Sequence, residues 1–376
     1  MPESPSAPTA GTVPRARFVS FYLPQFHPDP VNDAAWGKGF TEWTNVAAAR
    51  PLFRGHRQPR LPGALGFYDL RVQETRRDQA RLARSVGIEA FCYWHYWFEG
   101  VRPLGLPLDR LLSEGEPDFP FCLAWANETW SRRWLGEERD VILAQRYSVQ
   151  DDLDHARWLA SALVDRRALR LHDRPVFLVY RPLSLPDPSR TLDVWREEWS
   201  RIGCPDPYLI GMGDGSRDLS LLGFDATLVW QPNIYAIRHS GRQDRSTRRL
   251  LHNLRLGVRS SSLRIADEQA FRSAQPRMSP RWPSHPTVYV DWDNTPRRGR
   301  NGFVVRSDPD SEQFRFALED AVGDTTRIIA DPAKRFVFLN AWNEWAEGNC
   351  LEPDCTTGGG RRLSDVAHAA FGPSAH

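Results

Sequence analysis

The chain has 376 residues, 41% of them hydrophobic, and sets 49 basic against 47 acidic side chains for a net charge of +2. That length admits either two or three domains or one large α/β barrel, and the apolar fraction is enough for a real core. The near-neutral balance makes no case for a nucleic-acid partner, and no apolar run approaches the roughly 18 residues of a membrane span.

The first sixteen residues are rich in Pro, Ser and Ala and lack the apolar core of a signal peptide, so residues 1–16 read as a disordered leader and the chain as cytoplasmic. Residues 17–372 read as one unit. Short apolar runs mark eight expected strands: Arg17–Phe26, Ile88–Trp97, Phe119–Asn127, Pro175–Arg181, Tyr208–Met212, Ala226–Gln231, Thr287–Asp293 and Phe336–Trp342. Most are continuous rather than alternating, as suits parallel strands buried on both faces. Helical spacing falls between them at Leu70–Val86, closed by Gly87, at Gln150–Leu171, at Leu192–Ile202 and at Ser311–Val322 with Ser311 as N-cap. Eight strands separated by helices predict a single (β/α)8 TIM barrel with long β1–α1 and β6–β7 loops. No G-x-G-x-x-G follows a strand, which weakens a dinucleotide fold. The two long loops are His27–Leu70 and the Arg/Ser-rich Tyr235–His285.

Five cysteines (Cys92, Cys122, Cys204, Cys350, Cys355) are scattered without C-x-x-C spacing, so neither metal nor redox chemistry is expected of them. Only Lys38 and Lys334 are lysines, a bias read more readily as codon usage than as phosphate binding. Fifteen Trp stand out, because Trp favours aromatic-walled sites.

Polar and aromatic residues recur where the expected strands end. They are Tyr22, then His95 and Tyr96, then Trp125, Asn127 and Glu128, then Tyr180, Trp230, Trp292 and Asp293, and finally Asn340, Asn343, Glu344 and Glu347. In a (β/α)8 barrel these ends converge on one face, where active sites sit. Arg132 beyond the third strand and Glu42 and Trp43 on the first loop are further candidates for the substrate rim. Each has a plainer reading. His95 would serve as a hydrogen-bonded core histidine, half the aromatics of Tyr93–Phe98 should face helices, and Glu42 and Trp43 would only fix their loop.

The sharpest feature is Arg335–Glu352, an apolar strand-type run that breaks at Asn340 into Trp, Asn and Glu. Glu344 and Glu347 stand three residues apart beside Trp342 and Trp345, where a low-dielectric, aromatic-walled setting would split two carboxyl pKa values into acid and base. Trp faces with amides and carboxylates also match the flat C–H patches and hydroxyl rims of a sugar. A structural ion pair with a nearby Arg is the competing reading. D-x-D triplets occur at Asp152–Asp154, Asp291–Asp293 and Asp308–Asp310, too often to signal a metal, and the Arg cluster in Arg242–Arg264 reads as a solvated face.

Taken together, FYLPQFHPDPVNDAAWGKGFTEWTNV, RPLFRGHRQPRLPGALGFYDLR, FCYWHYWFEG, PDFPFCLAWANETWSRRW, RPVFLVYRP, WDNTPRRG and FLNAWNEWAEGNCLEPD resemble the WbsX-type glycosyltransferase family, whose members resemble glycoside hydrolase family 99. The resemblance implies a (β/α)8 barrel acting on oligosaccharide or polysaccharide α-mannoside-like bonds with retention and without metal or other cofactor. It implies that Glu344 draws the proton from the substrate's 2-hydroxyl and stays ionised, while Glu347, raised in pKa, protonates the leaving oxygen. It leaves a second possibility, a glycosyltransferase of lipopolysaccharide, O-antigen or other cell-surface polysaccharide biosynthesis. The chain departs from the family pattern at Cys355–Gly360.

Overall fold

The computed structural model describes residues 14–132, 137–234, 262–308, 310–355 and 360–372. Most of the expected leader, most of the Arg-rich excursion and part of the 355–360 departure lie outside them. Eight strands carry the frame. They are β1 (Arg17–Tyr22), β2 (Ile88–His95), β3 (Phe121–Trp125), β4 (Arg174–Val179), β5 (Tyr208–Gly213), β6 (Ala226–Val229), β7 (Ser284–Tyr289) and β8 (Phe336–Asn340). They run in the order β3-β2-β1-β8-β7-β6-β5-β4, and pairing of β3 with β4 closes the ring. Every one of these pairings is parallel. The fold is a closed (β/α)8 barrel, with each expected strand in place.

Helices fill the connections: α1 (Pro30–Trp36), α2 (Glu42–Ala48), α3 (Gln73–Ser85), α4 (Leu106–Glu114), α5 (Val149–Leu163), α6 (Pro188–Arg201), α7 (Glu268–Ser273), α8 (Thr295–Arg298), α9 (Gln313–Ile328) and α10 (Arg361–Phe371). Their starts obey local chemistry. Ser148 accepts from the Asp151 N–H to open α5, and Asp187 followed by Pro188 opens α6. Gly87, at φ +83°, ends α3 where a Cβ would meet Ala370 and Phe371 of α10 at 2.8 Å, so close helix packing and the left-handed turn both demand glycine. The expected helix over 150–171 stops at Leu163. Its tail, Arg170–Leu171, is a short strand antiparallel to β4. Ser311 lies one residue before the N-cap of α9, with its hydroxyl accepting from Gln313 N–H and donating to Glu268.

Two apolar layers result. Val19, Phe21, Cys92, Ala124, Leu178, Ile210, Leu228 and Phe338 fill the barrel interior. Phe18, Tyr22, Phe91, Trp125, Phe177 and Leu339 pack outward with helix residues such as Ala80, Leu159, Trp195 and Leu318. Each full burial of such a side chain is worth about 1.5–3 kcal/mol. With all strands parallel, their C-terminal ends share one rim. The long first loop folds as α1 and α2. A two-stranded hairpin, Trp130–Arg132 with Glu137–Leu143, rises after β3, and Arg264–Asp267 pairs in parallel with Phe303–Arg306 beside β7. Among the described residues no helix is long and apolar enough to cross a membrane.

Candidate functional site

Beyond β8 the chain makes a tight hairpin. Asn343 and Glu344 pair antiparallel with Cys350 and Asn349, and a 3-10 turn, Trp345–Glu347, forms the tip. In a 3-10 turn residues three apart eclipse one another, so Glu344 and Glu347 face the same way. What they face is Arg297, in α8 at the end of β7. Its Nη2 donates to Glu344 Oε2 at 3.0 Å, its Nη1 to Glu347 Oε1 at 2.7 Å, and its Nε to Glu42 Oε1 at 2.9 Å. Three carboxylates, two from the hairpin and one from α2, thus share one guanidinium at the barrel mouth.

Burial decides the electrostatics. It pushes Glu344 up to about 8; Arg297 pulls down, and Glu347 and Glu42 push up again. Burial raises Glu347 too, against the pull of Arg297. Arg297 itself is held firmly charged, because its three carboxylate neighbours outweigh its desolvation. The expectation set a raised Glu347 beside an ionised Glu344; burial pushes both members of the pair upward. Buried carboxylates facing one cation cannot all ionise cheaply, and the two interact closely enough to titrate as a pair.

The strand-end residues divide by direction. Tyr96, Tyr180 and Trp230 are half-buried at the mouth. The phenol of Tyr96 is pushed well up by burial and then by the charge of Glu344, and its ring meets Trp130 edge-on at 4.8 Å. Tyr180, Trp230 and Trp94 form mutual edge contacts at 5.2–5.9 Å above Phe21. Glu128 pairs with Arg181 at 2.8 Å on the outer rim, and Arg181 lies over the ring of Tyr180.

Others lie elsewhere. Tyr22 is in the layer under the helices with its hydroxyl donating to Gln79. His95 stacks on Trp158 at 4.5 Å and bonds His155 at 3.0 Å, and Trp125 packs against His155 and Trp195. Alternation along β2 and β3 turns these side chains outward. Trp43 donates to the Tyr68 carbonyl and packs on Trp345, fixing its loop. Trp292 belongs to a side cluster with Phe271 and Phe303. Trp342 and Trp345 do not wall the acids either: both are in the helix-side layer, with the Trp345 indole donating to Glu352 at 2.7 Å. The side chain of Arg132 lies outside the described residues.

The asparagines act as stitches. Asn343 Oδ1 accepts from Leu23 N–H at 2.7 Å and Nδ2 donates to the Leu23 carbonyl at 3.0 Å. Asn127 clamps the Arg181 backbone in the same two-bond way, and Asn340 donates to the Gln231 carbonyl. Asp293 accepts from His56, Gln58 and Thr295. Burial raises its pKa, but these donors, His56 foremost, hold it below the usual range. Because His56 Nδ1 accepts from Leu52 N–H, its Nε2 carries the proton given to Asp293.

Sequence reasoning missed Arg297, and with it Glu352, which accepts from Tyr68, Gln79 and Trp345. The one sequence signal for Arg297 is its place in the turn T-P-R-R-G, four residues past Asp293. Among the described residues no group of three His, Cys, Asp or Glu side chains is arranged to hold a metal.

The fold is shared with solved structures. A glycoside hydrolase-like protein superposes at TM-score 0.55 and 13% identity, covering 100% of this chain and 98% of its own. The GH99 endo-alpha-mannosidase from Bacteroides thetaiotaomicron superposes at TM-score 0.50 and 14% identity, over 94% and 96%. Identities this low establish a shared fold. The sequence model of the family Glycosyltransferase WbsX matches residues 18–361, and the chain belongs to that family. It is 40% identical over 373 residues to uncharacterized protein WxcX of Xanthomonas campestris pv. campestris strain ATCC 33913, and equally identical over 372 residues to that of strain B100. These matches cover 96% of this chain and 52% of theirs, so the chain spans about half the length of the curated relatives it matches.

Proposed function

We propose that residues 17–372 form a carbohydrate-active enzyme that cleaves or transfers α-glycosidic, mannoside-like bonds with retention, using Glu344 and Glu347 for proton transfer. The observation that carries this reading is the meeting of the two carboxylates on one guanidinium at the C-terminal mouth of a closed barrel. Half-buried Tyr96, Tyr180 and Trp230 offer ring faces for a sugar beside them.

Glu344 takes the proton of the substrate's 2-hydroxyl. The freed oxygen attacks the anomeric carbon, and the bond to the leaving oxygen breaks as Glu347 delivers its proton there. A 1,2-anhydro sugar results. Glu347 then deprotonates water, which opens the strained ring at the anomeric carbon, and Glu344 returns its proton to the 2-oxygen. Two inversions give retention, and an acceptor hydroxyl in place of water gives transfer. Because the pair titrates as a unit, a proton it carries moves to Glu347 when a sugar hydroxyl takes Glu344 as its acceptor.

A second reading is favoured by the family's own description: a glycosyltransferase of lipopolysaccharide, O-antigen or other cell-surface polysaccharide synthesis. The test is incubation with defined α-mannosides and with sugar nucleotides, followed by product analysis. Hydrolysis or transfer without nucleotide, lost in both Glu344→Gln and Glu347→Gln, is the expected result. Turnover that requires a sugar nucleotide and survives both substitutions overturns it in favour of the second reading.

A further inference from the structure

The first long loop reaches the acid pair through one side chain that solvent cannot touch. Glu42 opens α2, with its backbone N–H donating to the Gln25 carbonyl at 3.0 Å. Its Oε1 accepts from Arg297 Nε at 2.9 Å and from Asn45 Nδ2 at 3.3 Å, while its Oε2 is buried without a partner. Side-chain exposure falls from 24% at Glu347 to 10% at Glu344, 8% at Arg297 and 0% at Glu42. A sugar arriving from solvent meets the first two and not the last.

We propose that Glu42 is a positioning residue that sets the orientation and proton balance of Glu344 and Glu347 through Arg297, rather than a sugar ligand. This rests on reading that pair as the proton-transfer groups. Two consequences of the geometry support it. The grip on Nε fixes the plane of the guanidinium, so that Nη1 and Nη2 both present to the hairpin. One positive charge among three carboxylates also leaves two in excess when all are ionised, so the Glu42 charge competes for Arg297 with the pair it faces.

The other groups facing the pair are Arg298 beside Arg297 on α8, which draws Glu347 down, and Tyr96 beyond β2. The Glu42 charge raises both Glu344 and Glu347. The same helix touches the hairpin a second time, since Trp43 packs on Trp345 at 5.7 Å between the two acids. Seating of α2 therefore bears on the hairpin from two sides.

The test needs no substrate. Protein labelled with 13Cδ-glutamate is titrated by NMR, with Glu344→Gln and Glu347→Gln assigning the two resonances. In Glu42→Gln, which keeps the shape and an acceptor for Arg297 but removes the charge, both midpoints are expected to fall by about one pH unit. In Glu42→Asp, which keeps the charge, they are expected to stay near the parent values. Unchanged midpoints in folded Glu42→Gln, or an equal fall in Glu42→Asp, overturn the proposal.

Arg297→Lys gives an independent reading should Glu42→Gln not fold. It offers its charge to fewer carboxylate oxygens, so the midpoints should rise, and unchanged values overturn the proposal again. Circular dichroism establishes folding in each case. Sugar turnover is scored separately: its absence with normal titration sinks the functional reading alone, and the converse sinks only the role of Glu42.

Discussion

The backbone N–H of Asp293 donates to the carbonyl oxygen of Glu347 at 2.7 Å, so the end of one strand holds the tip of the next strand's hairpin. Asp293 is in turn locked by His56, Gln58 and Thr295. The position of Glu347 thus depends on a buried network that never touches its carboxylate.

Gly348 is the point where this network is most easily broken. It sits at φ +64°, and a Cβ there would lie 3.1 Å from both Asp293 N and Asp293 Cβ. Gly348→Ala is expected to destabilise by about 1–2 kcal/mol from the left-handed backbone alone. Displacement of Glu347 should lower turnover further than that loss explains. Urea unfolding beside product analysis checks both, and a variant with parent-like turnover would contradict the account.

Asn343 ties the hairpin to β1 with two hydrogen bonds to Leu23. Asn343→Ala leaves a buried N–H and a buried carbonyl unpaired, at a cost of about 1–3 kcal/mol for each group left unsatisfied. The expected result is a protein destabilised by several kcal/mol in denaturant titration. A change under 1 kcal/mol would show that water replaces the amide.

Glu344, pushed up to about 8, lies far above its unfolded value of roughly 4.3. The folded state binds more protons than the unfolded one between these values. Its contribution to stability is complete below the unfolded value and is lost as pH rises through the folded one. Buried His95 and His285, lowered to about 3 chiefly by burial, act with the opposite sign nearer pH 6.5. The quantity to read is accordingly the difference between parent and Glu344→Gln. The variant should gain stability on the parent steadily from pH 5 to 8, and a difference flat across that window refutes the raised value.

His95→Phe keeps the ring stack on Trp158 and deprives His155 Nε2 of its partner. A loss of about 1–3 kcal/mol in stability is expected, with KM for any sugar substrate unchanged. A rise in KM of tenfold or more would return His95 to the site.

Much of the architecture was legible without coordinates. Eight apolar runs, most of them continuous and separated by helical spacing, specify buried parallel strands, and strand ends such as Tyr180, Trp230 and Glu344 mark one rim. The i, i+3 placing of Glu344 and Glu347 survives intact because a tight turn is a local structure. Tertiary structure alone decided the rest. Both faces of these strands are apolar, so pattern does not distinguish the barrel interior from the helix layer, and Tyr22, His95 and Trp125 turn out to face the helices. Arg297 stands 255 residues from Glu42 and 47 from Glu344, and nothing local to any of them names the others. An ion cluster of that kind comes into being only when closure of the ring brings three loops to one rim, where burial then makes their charges interdependent.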